Sequence, residues 1–246
     1  MLISFAMTEL AYILLLTLGA GLCMPLGGAL ARIEHISPEW LETEFRHFMI
    51  AFGGGLLLGG VFEVLLPEGV ARFDNPSLGI LVFIIGGFAF FAIERTMALK
   101  HRQNPQLLGM LLDYLPESIA LGGLAVSNPS TALLLALVIG AQNIPEGFNA
   151  YRELSGQPSR LSGHVLRFML LLVPIGPIAA ITAHFLFRDQ SVILGAIMLL
   201  GAGGIMYIIF QDIAPQSRLK NHWAPPLGAI MGFAITLQAD IWLNQT

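Results

Sequence analysis

Long apolar stretches recur along the whole chain and are separated by short polar connections. A helix needs about 20 mostly apolar residues to cross a bilayer. The stretches predict helices over residues 8–31, 47–69, 78–98, 106–126, 131–152, 161–187, 191–215 and 223–243. The polar stretch from Glu34 to Glu44, which holds Pro38, is expected at the membrane interface. The pattern predicts one all-α integral membrane domain over residues 1–246, with eight antiparallel transmembrane helices.

The composition agrees with this fold class. Of the 246 residues, 55% are hydrophobic and only 11% are charged, against about 25% charged residues in a soluble domain. Mean hydropathy is +0.74, so much of the apolar surface is expected to contact membrane lipid. Cys23 is the single cysteine, which excludes a disulfide framework and a cysteine-based zinc site. Nothing resembles a basic patch for nucleic acid.

The basic residues fall very unevenly on the two sides of the predicted membrane. One side, which includes both chain ends, holds only Arg72 and Arg188. The other side holds the remaining Lys and Arg: Arg32, Arg46, Arg95, Lys100, Arg102, Arg152, Arg160, Arg167, Arg218 and Lys220. Cytoplasmic loops carry an excess of Lys and Arg. We therefore expect a multi-pass protein of the cell inner membrane with both termini on the outer side of that membrane.

Three carboxylates fall in the middle of the fourth and fifth predicted helices. Asp113 and Glu117 lie in Asp-Tyr-Leu-Pro-Glu-Ser, and Glu146 follows Gln142 in Gln-Asn-Ile-Pro-Glu-Gly. Each pair is spaced i, i+4, so its members share one helix face. With the helices antiparallel, Asp113 is expected level with Glu146, and Glu117 level with Gln142. Intramembrane carboxylates are costly and usually functional. The alternative is protonated packing residues joined by hydrogen bonds.

The same two helices each carry a proline directly before the glutamate. Pro116 leaves the carbonyl of Leu112 without its helical hydrogen bond, and Pro145 does the same for Ala141. Such free carbonyls are tolerated in a membrane where they line a cavity. Carboxylates, amides and carbonyls are the ligands of hard or borderline dications. The pattern therefore predicts a metal site between the fourth and fifth helices.

Further acidic and amide residues lie near the ends of the second and seventh helices. Glu63 and Glu68 are predicted near the outer end of the second, and Gln211 and Asp212 near the inner end of the seventh. Together with the central site they outline an entrance and an exit. The alternative for each is an ordinary solvated residue near a helix end. The histidines show no metal-ligand spacing and are interpreted as ordinary polar residues.

At these residues the chain resembles the ZIP (Zrt/Irt-like) family of divalent metal transporters. The similar segments are Leu65–Glu68, Pro116–Gly122, Asn143–Gly147 and Gly201–Pro215. The resemblance implies eight spans with three-helix inverted repeats flanking the fourth and fifth helices. It also implies alternating access and uptake of zinc, iron or manganese as the substrate, with no cofactor. On this basis Asp113, Glu117, Gln142, Asn143, Glu146, Glu63, Gln211 and Asp212 are the candidate metal ligands.

The chain departs from the family pattern at several ligand positions. The usual histidine of the fourth helix corresponds to Asp113, and the asparagine after it to Tyr114. The position that is often histidine in the fifth helix is Gln142. The acidic residue of the sixth helix corresponds to Gly176, and the histidine of the second to Val64. Replacing histidine by aspartate hardens the site, and the missing ligands favour one ion over two.

Several other functions stay open at this point. An intramembrane enzyme would need a motif such as His-Glu-x-x-His, which the sequence lacks, so we expect no enzyme. A proton-coupled carrier of another substrate could use the same carboxylates, and a non-transporting relative could have a degenerate site. The identity of the metal, the driving force, and the choice between monomer and homodimer are not determined by the sequence.

Overall fold

The computed structural model describes residues 2–34, 44–99, 105–155, 164–187 and 190–245. These parts of the chain are helices joined by short turns, with no strand among them. Nearly all of the polar stretch between Glu34 and Glu44 lies outside the described residues, as does the start of the predicted sixth helix at residues 161–163.

The helices follow the predicted order. The first five are α1 (Leu2–Glu34), α2 (Arg46–Gly60, Val61–Leu65 and Leu66–Val70), α3 (Pro76–Leu99), α4 (Pro105–Ser127) and α5 (Pro129–Ser155). The last three are α6 (Val165–Leu172 and Ile175–Phe187), α7 (Ser191–Ile208, Ile209–Ile213 and Ala214–Ser217) and α8 (Leu227–Gln245).

Two helices change their hydrogen-bond pattern near one end. In α2 the segment Val61–Leu65 is a π-helical turn, and in α7 the segment Ile209–Ile213 is another. Each is followed by a proline at the start of the resumed α-helix, Pro67 in α2 and Pro215 in α7. Proline has no N–H to donate to the carbonyl four positions earlier. In the wider π-helical turn a carbonyl accepts from the N–H five positions later instead, so the turn accommodates the missing donor.

Prolines also account for two differences from the predicted helices. The sixth helix, predicted to be continuous, is broken at Val173 and Pro174, because proline interrupts the hydrogen-bond ladder. The eighth helix begins at Leu227 rather than at residue 223. Pro225 and Pro226 lie in the preceding turns, where the backbone N–H of Leu227 bonds to the carbonyl of Ala224.

Seven helices in the described parts of the chain are long and apolar enough to cross a membrane. They are Thr8–Ile33, Arg46–Val70, Pro76–Met97, Pro129–Ser155, Val165–Phe187, Ser191–Ser217 and Leu227–Asn244. Many large apolar side chains on these helices are exposed, as expected for surfaces that contact lipid. The chain is an all-helical integral membrane protein. Helix α4 is not among the seven, so a count of eight spans stays a prediction.

Helices α4 and α5 lie side by side at the centre of the bundle. Helix α5 also packs against α1 and α2, and α4 also packs against α6 and α7. The outer helices α3 and α8 pack against α7 and α2 respectively and are largely exposed. This arrangement places the predicted metal ligands of α4 and α5 where four other helices shield them from lipid.

Candidate metal site

The facing sides of α4 and α5 are polar in an otherwise apolar core. Glu117 is 0% exposed, and Asp113, Gln142 and Asn143 are also buried. The side-chain nitrogen Nε2 of Gln142 donates a hydrogen bond of 2.7 Å to Oε2 of Glu117. This bond confirms the prediction that those two positions lie level on antiparallel helices.

The three carboxylates are neighbours in this buried layer. Asp113 is close enough to Glu117 and Glu146 for their negative charges to repel, and Glu117 and Glu146 repel each other. Among the described residues, however, no three His, Cys, Asp or Glu side chains meet at distances that would hold a metal ion. The carboxylates therefore share a layer but do not close around one point in this conformation.

Several oxygen atoms of this layer lack hydrogen-bond partners among the described residues. They are Asp113 Oδ1, Glu117 Oε1, Gln142 Oε1, Asn143 Oδ1, and Oε1 and Oε2 of Glu146. Buried polar groups are normally hydrogen-bonded, and an unpaired one suggests an unseen water or ion. Since all of these atoms are acceptors when the carboxylates are ionised, the layer is suited to a cation.

The two helices that carry these oxygens are closely packed through their prolines. A Cβ atom built on Gly201 of α7 would lie 2.6 Å from Cβ of Pro116. One built on Gly53 of α2 would lie 3.1 Å from Cγ of Pro145. The glycines of α2 and α7 therefore allow those helices to approach the residue directly before each central glutamate.

Asn143 and Tyr114 point to the sides of the layer. Asn143 Nδ2 donates a hydrogen bond of 2.9 Å to the carbonyl of Ala20 in α1. Tyr114 is 1% exposed, and its hydroxyl donates to the carbonyl of Val173 in α6 at 3.5 Å. A Cβ atom built on Gly176 would lie 2.0 Å from that hydroxyl oxygen. The tyrosine thus occupies the space that a side chain at position 176 would need.

The other predicted ligands do not join the central layer. Glu63, on the π-helical turn of α2, is partly exposed and repels Asp240 of α8. On the π-helical turn of α7, Gln211 is exposed, while Asp212 is partly buried and interacts with Glu94 of α3. Their roles at an entrance and an exit remain predictions.

Glu68 is engaged at the end of α2. Its Oε2 lies 3.4 Å from Nη2 of Arg72, and its Oε1 accepts a 2.8 Å hydrogen bond from Asn128 Nδ2. Asn128 is the residue between α4 and α5. These contacts fix the turn between the two central helices to the end of α2.

The sequence analysis did not single out three ionisable residues that interact with a residue of another helix in the structure. Glu94 of α3 interacts with both Asp212 and Tyr207 of α7. His184 Nε2 of α6 lies 3.7 Å from Oε2 of Glu9 in α1. The available signal was an ionisable residue within an apolar stretch, which marks a functional candidate but does not identify its partner on another helix.

A cavity of about 1020 Å³ opens away from the carboxylates, between α2, α7 and the start of α8. Arg218 and Lys220 line it together with apolar residues of these helices. Two positive side chains disfavour a dication there, so the size of this cavity does not make it the better candidate for a metal site.

The fold defines a multi-pass helical membrane protein that contains a buried layer of unpartnered oxygens. The chain is 30% identical to the zinc transporter ZupT of Escherichia fergusonii over 139 residues. Those residues are 56% of this chain and 48% of that relative. It is also 30% identical over 105 residues to ZupT of Shigella flexneri and of Escherichia coli K12, 42% of this chain and 37% of each relative. The chain spans about half the length, or less, of these curated relatives. No family model matches it.

Proposed function

We propose that this protein transports divalent metal cations across the membrane through the layer between α4 and α5. The observation that carries the proposal is the set of unpartnered buried oxygens on Asp113, Glu117, Gln142, Asn143 and Glu146. A bound dication would give these oxygens the partner they lack and would offset the repulsion among three carboxylates. The ZupT relatives, which are named as zinc transporters, support the same class of substrate.

The donor set favours oxygen-seeking ions. Each of the five side chains offers oxygen, and none offers sulfur or imidazole. Oxygen ligands suit manganese and iron, whereas zinc is more often bound by histidine and cysteine. Zinc, iron and manganese are therefore all candidate substrates, and the relatives' name alone does not select among them.

Alternating access is supported by a repeated arrangement around the centre. Helices α2 and α7 each contain an α–π–α sequence with a proline at the start of its last α-helical segment, and each places a glycine against the proline of a central helix. The packing of α2 with α5 and α8 matches that of α7 with α4 and α3. Inverted repeats around a midplane site are a common basis of alternating access, and this pattern favours a 3+2+3 layout with eight spans.

The uneven basic residues support an orientation of the protein in the membrane. With ten of the twelve Lys and Arg residues on one side in the predicted topology, that side is assigned to the cytoplasm of the inner membrane, and both termini to the outside. The central layer then separates an outer half near Glu63 from an inner half near Asp212. Uptake toward the cytoplasm is the direction that the resemblance to ZIP transporters implies.

Uptake by the purified full-length chain in proteoliposomes tests this function. Zn²⁺, Mn²⁺ and Fe²⁺ are offered separately, with and without a pH gradient, and uptake is compared between the wild type and Glu146→Gln. Saturable uptake that the substitution reduces is the expected result. Metal binding without uptake would indicate a non-transporting relative. Proton flux that is independent of metal would indicate a carrier of another substrate.

A further inference from the structure

Helix α5 carries one more buried amide, one turn beyond the central glutamate. Asn149 is 3% exposed, and its Oδ1 has no hydrogen-bond partner among the described residues. No candidate ligand set includes it. An unpaired buried amide oxygen is unfavourable and rare, so Oδ1 of Asn149 calls for a partner that the described residues do not supply.

The position of Asn149 on α5 relates it to the central layer. With 100° per residue, Gln142, Glu146 and Asn149 lie within about 60° of one another around the helix. Asn149 lies ~4.5 Å beyond Glu146 along the axis, in the direction of Arg152 and the end of α5. The three side chains form one stripe of oxygen donors that leads out of the central layer.

Neighbouring helices show where this stripe faces. On one side of it, Pro145 and Val138 pack against Gly53 and Gly60 of α2. Within it, Gln142 bonds to Glu117 of α4. Asn143, about 60° around α5 from Glu146 and about 120° from Asn149, bonds to α1. The stripe therefore faces the space between α2 and α4, where an ion leaving Glu117 and Glu146 would move.

Among the side chains of α4 that the structure describes, from Gly109 onward, none is an equivalent donor in this direction. One turn beyond Asp113, toward the start of α4, the described residues are Met110, which is buried, and Gly109. Neither has an oxygen in its side chain. Asn149 is thus the next side-chain oxygen on α5 after Glu146 for an ion that moves toward the end of that helix.

We propose that Asn149 is a release ligand, which binds the dication through Oδ1 as it leaves the central carboxylates toward the cytoplasm. This inference rests on the proposed transport function. A neutral amide suits the role because conduction requires each site to hold an ion weakly enough to release it. A carboxylate at the same position would retain the ion.

Two substitutions of Asn149 separate this role from packing. Asn149→Leu keeps the number and branching of the side-chain heavy atoms and removes the amide. It should slow Zn²⁺ uptake about tenfold while the affinity measured by calorimetry stays within about twofold, because the central ligands remain. Asn149→Asp adds a charge at the same place. It should tighten Zn²⁺ binding about tenfold and also slow uptake, because release becomes limiting.

The control is Thr17→Val, which removes a buried hydroxyl of α1 that donates 2.7 Å to the carbonyl of Ile13. It should leave uptake within about twofold of the wild type, since an isosteric change away from the site alters little. All variants are full-length and reconstituted into proteoliposomes, and their thermal stability in detergent is measured alongside.

The outcomes divide clearly. Wild-type uptake by Asn149→Leu, or unchanged Zn²⁺ affinity in Asn149→Asp, would overturn the role of Asn149 and leave the transport function intact. Parallel losses of stability and uptake in Asn149→Leu would assign the residue to packing. A wild type that takes up no Zn²⁺, Mn²⁺ or Fe²⁺ would overturn the transport function and this inference together.

Discussion

The contact between Gly201 of α7 and Pro116 of α4 gives a direct test of how closely the central site depends on its neighbours. Gly201→Ala adds a methyl group whose carbon would lie 2.6 Å from Cβ of Pro116. That distance is about 0.8 Å short of ordinary van der Waals contact. Pro116 has a rigid ring and precedes Glu117, so the two helices must separate at the turn that positions this ligand.

The expected size of the effect follows from that separation. Overpacking of a close-packed interior costs about 1–3 kcal/mol, partly offset by about 0.5–1 kcal/mol from the better helix propensity of alanine. A shift of nearly 1 Å at Glu117 lengthens its bond to an ion and should weaken metal affinity about tenfold, which corresponds to ~1.4 kcal/mol. Uptake should fall at least as much as affinity.

Gly53→Ala in α2 is the matched control. Its added carbon would lie 3.1 Å from Cγ of Pro145, so a shift of about 0.3 Å relieves the contact. The helix-propensity gain is the same in both variants, and the proline again precedes a central glutamate. Zn²⁺ affinity by calorimetry and uptake in proteoliposomes should therefore change far more in Gly201→Ala. Equal effects, or a larger effect of Gly53→Ala, would refute this reasoning.

Four further predictions concern the central site and the topology. Glu117→Ala and Glu146→Ala should each weaken metal binding at least about 100-fold, or ~2.8 kcal/mol; unchanged affinity in both would exclude them as ligands. Metal affinity should fall as the pH is lowered from neutral to mildly acidic, because protons compete for ligand carboxylates, and a flat titration would contradict this. A metal-soaked crystal should show one anomalous peak between α4 and α5, not two about 4 Å apart. In a Cys23→Ser background, cysteines introduced at the C-terminus and in the connection between α3 and α4 should react from opposite sides of the membrane, and labelling of both from outside would show that the topology is wrong.

The central helices were predictable because their signals are local. Charges in an apolar stretch, i, i+4 spacing and a proline before each glutamate are all visible in the sequence. Antiparallel neighbours then fix the levels of the ligands, and the hydrogen bond between Gln142 and Glu117 agrees with that prediction. The break at Pro174 and the late start of α8 were missed, although each has a proline as its cause.

Contacts between helices distant in the sequence were not predictable in the same way. The pairing of Glu94 with Asp212, and of Glu9 with His184, depends on how α3 and α7, or α1 and α6, are rotated about their axes. Periodicity gives the face of each helix but not the face of its partner. The glycines of α2 and α7 could be recognised in the sequence as sites of close packing. The sequence did not show that they contact the prolines of α5 and α4.

Tyr114 links the departures from the ZIP pattern to the geometry of the site. In place of a small polar residue, the chain has a phenol that reaches across to α6 and donates to the carbonyl of Val173. Its hydroxyl fits because positions 21 and 176 are glycines: a Cβ built on either would come within 2.5 Å of that oxygen. A side chain at position 176 and a tyrosine in this orientation at position 114 therefore exclude each other. A buried neutral phenol that is already hydrogen-bonded is a poor metal ligand. The space on this side of Glu117 is thus filled by protein, and the unpartnered oxygens belong to the layer between α4 and α5, so we expect one bound ion rather than two.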